Sequence, residues 1–197
     1  MEKEQKTKPA INPLKTKSYV ALDQKVTDDN GLIKLESKSI ICKINMNLGG
    51  KIYSLKSKNS GREFLFQDTR SAFANKDYSN HDLSGFDECF PTVAPCQFKI
   101  GRKNCDLPDH GFLWNQIWDY QIEDNIVRMS CYVNELKSLF ERDCIISDDS
   151  IRFEYRITNQ ADCTLPFIYS AHPFLRAEND RSEERRVGKE CATGYRS

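Results

Sequence analysis

The chain is a succession of short alternating stretches, and no window carries the 3.6-residue apolar periodicity of a long amphipathic helix. The clearest stretch is Ile151–Thr158, in which Ile151, Phe153, Tyr155 and Ile157 alternate with Arg152, Glu154 and Arg156. Successive side chains of a strand point to opposite faces, so this pattern predicts a strand with one face buried. Ser39–Asn47 alternates in the same way, with Ile40, Cys42, Ile44 and Met46 on one side. Further candidate strands are 32–37, 51–57, 97–100, 120–123, 126–133, 140–146 and 165–169, with a short apolar run at 63–66. In 51–57 the apolar anchors are Ile52 and Leu55, and Pro166 restricts 165–169 to a sheet edge or strand end. Turn residues separate these runs: Leu48-Gly49-Gly50, Asn59-Ser60-Gly61, and Asp148-Asp149-Ser150, which predicts a hairpin between 140–146 and 151–158. The polar, irregular segment 68–84 reads as a loop. Strands recurring every ~8–12 residues predict an all-β sandwich or barrel.

The 197 residues suffice for one domain with a real core. Lysine plus arginine equal aspartate plus glutamate at 29 each, which gives no electrostatic reason to expect nucleic acid or a membrane surface as partner. No apolar run approaches the ~20 residues of a membrane span, and no secretory signal follows Met1. Eight scattered cysteines without a C-x-x-C pair read as reduced thiols, and the expected compartment is the cytoplasm. Residues 1–18, lysine-rich with Pro9 and Pro13, are expected to be a loose arm, and 19–180 the domain. Residues 181–197 fit neither. Arg181 to Cys191 match, codon for codon, an in-frame translation of a common sequencing-library adapter, so the natural sequence is expected to stop near Asp180. The tail carries five basic and three acidic residues; without it the net charge is −2.

Three segments hold polar groups that alternation and turns do not require. In Gly85-Phe86-Asp87-Glu88-Cys89-Phe90-Pro91, two adjacent acids sit in an apolar frame and could accept hydrogen bonds from hydroxyls, or simply be solvated. In Pro108-Asp109-His110-Gly111, an imidazole lies between an acid and a glycine, close to Trp114 and Trp118. Aromatic faces stack on the apolar faces of sugar rings, while an imidazole donates or accepts near neutral pH. In Tyr169-Ser170-Ala171-His172-Pro173-Phe174, a histidine closes a strand, well placed for proton transfer. Each taken alone is equally compatible with a structural role. The gaps between Cys89, Cys96, Cys105 and His110 are too long and irregular for a zinc knuckle, so no metal is expected. Walker, G-x-G-x-x-G and G-x-S-x-G templates are absent.

Together with Leu48-Gly49-Gly50-Lys51-Ile52-Tyr53-Ser54-Leu55, these segments resemble the aldose 1-epimerase (galactose mutarotase-like) family across roughly residues 30–178. The resemblance implies a large antiparallel β-sandwich, incomplete at its C-terminus, with an aldose bound in an open cleft on one sheet. It implies interconversion of the α and β anomers without cofactor or metal. In this pattern His172 matches the acid that serves the ring oxygen, and His110 the histidine that holds a hydroxyl or the ring oxygen. Asp87, Glu88, Asp109 and Trp114 are the expected sugar-binding residues.

Two departures stand out. Where better-known members carry an arginine-bearing segment, this chain has Asp87 and Glu88. The general base of the family is a late glutamate, expected beyond residue 180; Glu178, six residues after His172, is not in its place. Roughly a third of the natural domain is therefore expected to be missing, and the chain as it stands to be inactive. Two alternatives stay open: a carbohydrate-binding domain without catalysis, and a sugar-phosphate epimerase, for which Lys99, Arg102 and Lys103 are ambiguous markers.

Overall fold

The structure, a computed structural model, describes residues 25–68, 78, 81–101 and 103–177, with Lys103 described by its backbone alone. The expected N-terminal arm, Arg102, Glu178 and the tail 181–197 lie outside the described residues. Twelve strands make up the regular structure, with no α-helix among the described residues. They are β1 (Lys25–Asp29), β2 (Leu32–Glu36), β3 (Ile40–Asn45), β4 (Lys51–Ser57), β5 (Phe86–Cys89), β6 (Cys96–Ile100), β7 (Lys103–Leu107), β8 (Asp119–Glu123), β9 (Ile126–Val133), β10 (Ser138–Ile146), β11 (Ile151–Asn159) and β12 (Ser170–Pro173).

Six strands form one antiparallel sheet in the order β1-β2-β3-β4-β5-β12. Four form a second in the order β11-β10-β9-β8, and β6 and β7 stand apart as a hairpin. The core lies between the two large sheets. Ile33, Leu35, Cys42, Ile44 and Ile52 come from one side; Val127, Met129, Cys131, Phe140, Cys144 and Ile146 come from the other. The inward phase of β11 (Ile151, Phe153, Tyr155 and Ile157) packs against this core as the alternation requires. The predicted hairpin is present: Ile146 pairs with Ile151, and Ser147 N–H donates to Ser150 O at 2.9 Å.

The odd spacing of Ile52 and Leu55 has a structural cause. Between β3 and β4 the register slips, so that Lys43 faces Ser54 while Ile44 faces Ile52. The extra residue, Tyr53, makes a β-bulge that reverses the alternation of β4. Ile52 and Leu55 thereby both reach the core, and Lys51 is turned to the outer face of the six-stranded sheet.

Some elements depart from the sequence pattern. β1 and β7 are too polar to be read from periodicity and exist as hairpin partners of β2 and β6. β5 hid in a segment read for its acids. The predicted strand 165–169 is not formed: Pro166 has no N–H, Phe167 and Ile168 are exposed, and Ile168 N–H donates to Pro91 O at 2.8 Å rather than to a strand partner. Pairing starts one residue later, at Ser170 opposite Cys89. The run 63–66 makes isolated bridges, Lys56 with Glu63 and Leu65 with Leu175. No cysteine among the described residues is in a disulfide, and no helix there is long and apolar enough to cross a membrane.

Candidate functional site

The site is built where β5 meets β12. Their register sets Asp87 opposite His172 and Cys89 opposite Ser170. Alternation then divides β5: Phe86 and Glu88 point between the sheets, while Asp87 and Cys89 point to the outer face with His172. A third element joins them. The loop after β7 is gripped at the end of β5, where Phe112 N–H donates to Phe90 O at 2.8 Å. Gly111 makes this approach possible. Its φ is +75°, and a Cβ there would lie 2.0 Å from Phe90 O, so only glycine fits. The grip swings His110, itself at φ +58°, over the same outer face.

Around Asp87 the outer face is buried and polar. Asp87 Oδ2 lies 3.3 Å from Lys51 Nζ and 3.5 Å from His81 Nε2, and accepts from the Tyr78 hydroxyl at 3.4 Å. Lys51 also donates to His81 Nε2 at 3.2 Å and to the Asp82 carbonyl. Two buried atoms of this group have no partner among the described residues, Asp87 Oδ1 and His81 Nδ1. Tyr78 connects the group to the histidines above it. Its hydroxyl is 3.1 Å from His172 Nδ1, and its ring stacks on His110 with centroids 3.6 Å apart and planes at 12°. The His110 and His172 rings are 5.0 Å apart, and Asp109 Oδ1 holds His110 Nδ1 at 3.0 Å. The chain has three histidines, and all three meet here.

Burial shapes the ionisation of this cluster. It lowers the pKa of His172 below the ordinary imidazole value, helped by His110 and Lys51 and opposed by Asp87. Burial and the Asp87 charge drive the Tyr78 phenol well up, so its proton stays available for hydrogen bonding. The Cys89 thiol is pushed up to about 12 by burial and by the Asp87, Glu88 and Asp109 charges.

Of the residues expected from sequence, the structure brings together His172, His110, Asp87 and Asp109. It places Trp114 behind them. That side chain is buried, its Nε1 donates to Gly111 O at 3.2 Å, and its ring lies edge-on to Tyr78. Glu88 is on the other side of the sheet, fully buried between the sheets. There it pairs with Arg142 at 2.5 Å and accepts from Tyr155 at 3.1 Å and Tyr169 at 2.8 Å. Both its oxygens are engaged inside the core. Burial and the Glu88 charge raise the pKa of both phenols, which holds them in the donor form. Lys99 is exposed on the β6–β7 hairpin. Sequence reading gave no site role to Lys51, Tyr78, His81 or Cys89; the signal available for His81 was the scarcity of histidine.

No protein family profile and no curated protein matches this sequence. Solved structures do. A galactose mutarotase-like protein from Clostridium acetobutylicum superposes with a TM-score of 0.60 at 16% identity, over 77% of this chain and 54% of that one. The fold is galactose mutarotase-like. This chain spans about half the length of that structure. A 4-alpha-glucanotransferase from Thermococcus litoralis aligns with a TM-score of 0.44 at 17% identity, over 72% of this chain and 25% of that one. A TPR-domain containing protein from Parabacteroides distasonis aligns at 0.43 and 18%, over 63% and 20%.

Proposed function

We propose that the outer-face cluster binds an aldose and takes part in interconverting its α and β anomers. The observation that carries this reading is the pairing of His110 and His172 on a galactose mutarotase-like sheet, each ring steadied at Nδ1 by a polar partner. Ring opening needs a base to take the C1 hydroxyl proton and an acid to protonate the ring oxygen; C1–C2 then rotates and the ring closes on the other face. When the Tyr78 hydroxyl turns its one proton from Asp87 to His172 Nδ1, the neutral imidazole carries its own proton on Nε2, ready for the ring oxygen. His110, oriented by Asp109, holds a hydroxyl or the ring oxygen. The unpartnered Asp87 Oδ1 accepts from a further hydroxyl or from water. The general base in this reading is a late glutamate outside the described residues.

The test is anomer exchange, followed by polarimetry or exchange NMR on a panel of aldoses. A chain extended through its natural reading frame past codon 180 is expected to accelerate exchange. H172A and H110A should each slow it by ~100-fold or more. Unchanged decay in both variants refutes the assigned roles. One observation favours a second reading, sugar binding without catalysis: the two carboxylates beside the imidazoles, Asp87 and Asp109, are already engaged with protein partners. Under that reading the extended chain binds aldoses, detected by saturation transfer, and leaves the exchange rate unchanged.

A further inference from the structure

We propose that Cys89, His110 and His172 form a binding site for a soft divalent metal ion, zinc foremost. One ligand atom from each of the three lies within 4.8 Å of the other two. A tetrahedral zinc with Zn–S near 2.3 Å and Zn–N near 2.0–2.1 Å needs ligand atoms roughly 3.3–3.6 Å apart. The group is therefore about 1 Å looser than a closed site, within the reach of small side-chain rotations. The irregular spacing in sequence is no obstacle, because the ligands come from three elements: Cys89 from β5, His172 from β12 and His110 from the loop after β7.

The second observation is the way the imidazoles are held. A metal-ligating histidine almost always donates its other ring N–H to a carboxylate, a carbonyl or water, which fixes the tautomer and raises the basicity of the ligand nitrogen. His110 is arranged so directly, and His172 through a hydroxyl that is itself bonded to a carboxylate. His110 Nδ1 is 3.0 Å from Asp109 Oδ1. His172 Nδ1 is 3.1 Å from the Tyr78 hydroxyl, which donates onward to Asp87. With the Tyr78 hydroxyl donating to Asp87 Oδ2, its oxygen accepts from His172 Nδ1–H. In each ring Nε2 is then the nitrogen left with a lone pair. Cys89 supplies the soft donor that selects zinc or cobalt over magnesium or calcium. On binding, the S–H bond breaks, its proton leaves to solvent, and the sulfur–metal bond forms. Three protein ligands leave a fourth position for water.

This site goes beyond the sugar reading and competes with it, since a metal would take the imidazoles that reading assigns to the aldose. The test needs no enzymatic activity. The full chain is stripped with a chelator, kept reduced and titrated with cobalt(II). The expected result is one cobalt per chain, with visible bands of a tetrahedral site and a near-ultraviolet thiolate-to-cobalt charge-transfer band, both abolished by zinc. The combined variant C96S/C105S/C163S/C191S should keep these bands. C89S should lose the charge-transfer band, and D109N should weaken binding by ~10–100-fold. X-ray absorption of the zinc-loaded unsubstituted chain should show one sulfur and two imidazoles, a readout that stands even where C89S fails to fold. Bands that survive C89S, bands lost in the four-cysteine variant, absence of stoichiometric binding, or a shell of light atoms alone would each overturn the proposal.

Discussion

Removing the Glu88 carboxylate separates its role from that of its neighbour Asp87. Glu88 and Arg142 are both fully buried, 2.5 Å apart, and come from opposite sheets. E88A leaves the Arg142 guanidinium without a counter-charge in the core, although its bond to the Gly50 carbonyl remains. Breaking a buried pair from one side costs about 3–5 kcal/mol, because the surviving charge stays desolvated. Tyr155 and Tyr169 lose their acceptor as well, and an unsatisfied buried donor costs about 1–3 kcal/mol. These terms share partners and do not add, so a loss of at least ~3–5 kcal/mol is expected. Against a typical stability of ~5–15 kcal/mol, that lowers the melting temperature by about 6–20 °C for a chain of this size. R142M should be damaging for the mirror-image reason. E88M/R142M should recover part of the loss, since neither charge is then stranded. Urea and thermal unfolding of the three variants supply the cycle. If E88A unfolds within ~0.5 kcal/mol of the parent while aldose binding disappears, the placement of Glu88 inside the sandwich is wrong and it belongs with the ligand site.

Three further outcomes test the frame around the site. G111A forces a Cβ against the Phe90 carbonyl at a φ of +75°, so it should destabilise the chain by more than ~1 kcal/mol in urea melts and shift the His110 resonances in NMR spectra, while G61A, with nothing within 4 Å, should leave those resonances in place. F140A removes a fully buried ring that packs against Phe90, Trp118, Tyr155 and Tyr169, and should cost about 3–5 kcal/mol by the same melts. Lys34 and Lys58 lower the pKa of Glu36 from 4.5 to about 2, so its contribution is fully present above pH 4.5 and is lost as pH falls towards 2. The gap in urea midpoint between the parent and E36Q should therefore close between pH 5 and pH 2; a gap that is constant over that range contradicts the ion pair.

Periodicity made most of the sandwich legible and concealed part of the site, for one physical reason. In β11 one phase is apolar and the other charged, so the buried face declares itself. In Gly85-Phe86-Asp87-Glu88-Cys89-Phe90 each phase mixes an acid with apolar side chains: Phe86, Glu88 and Phe90 on one, Asp87 and Cys89 on the other. Composition alone cannot say which acid faces the core. The decision comes from partners distant in the chain, with Arg142, Tyr155 and Tyr169 satisfying Glu88, and Lys51 and Tyr78 satisfying Asp87. Lys51 shows how indirect such signals are. It reaches Asp87 because a bulge at Tyr53 reverses β4, and the trace of that bulge in sequence is the three-residue step from Ile52 to Leu55. The polar strands β1 and β7 left no trace, because hairpin partners rather than burial hold them in place. Rarity was a better guide than pattern for the site. A chain of 197 residues with three histidines, all in one outer-face cluster that also buries Asp87 and Lys51, pays a desolvation cost that no core requirement explains. A ligand at the β5–β12 junction would account for that burial, and the proposed aldose and the proposed soft metal ion are the two occupants to be tested there.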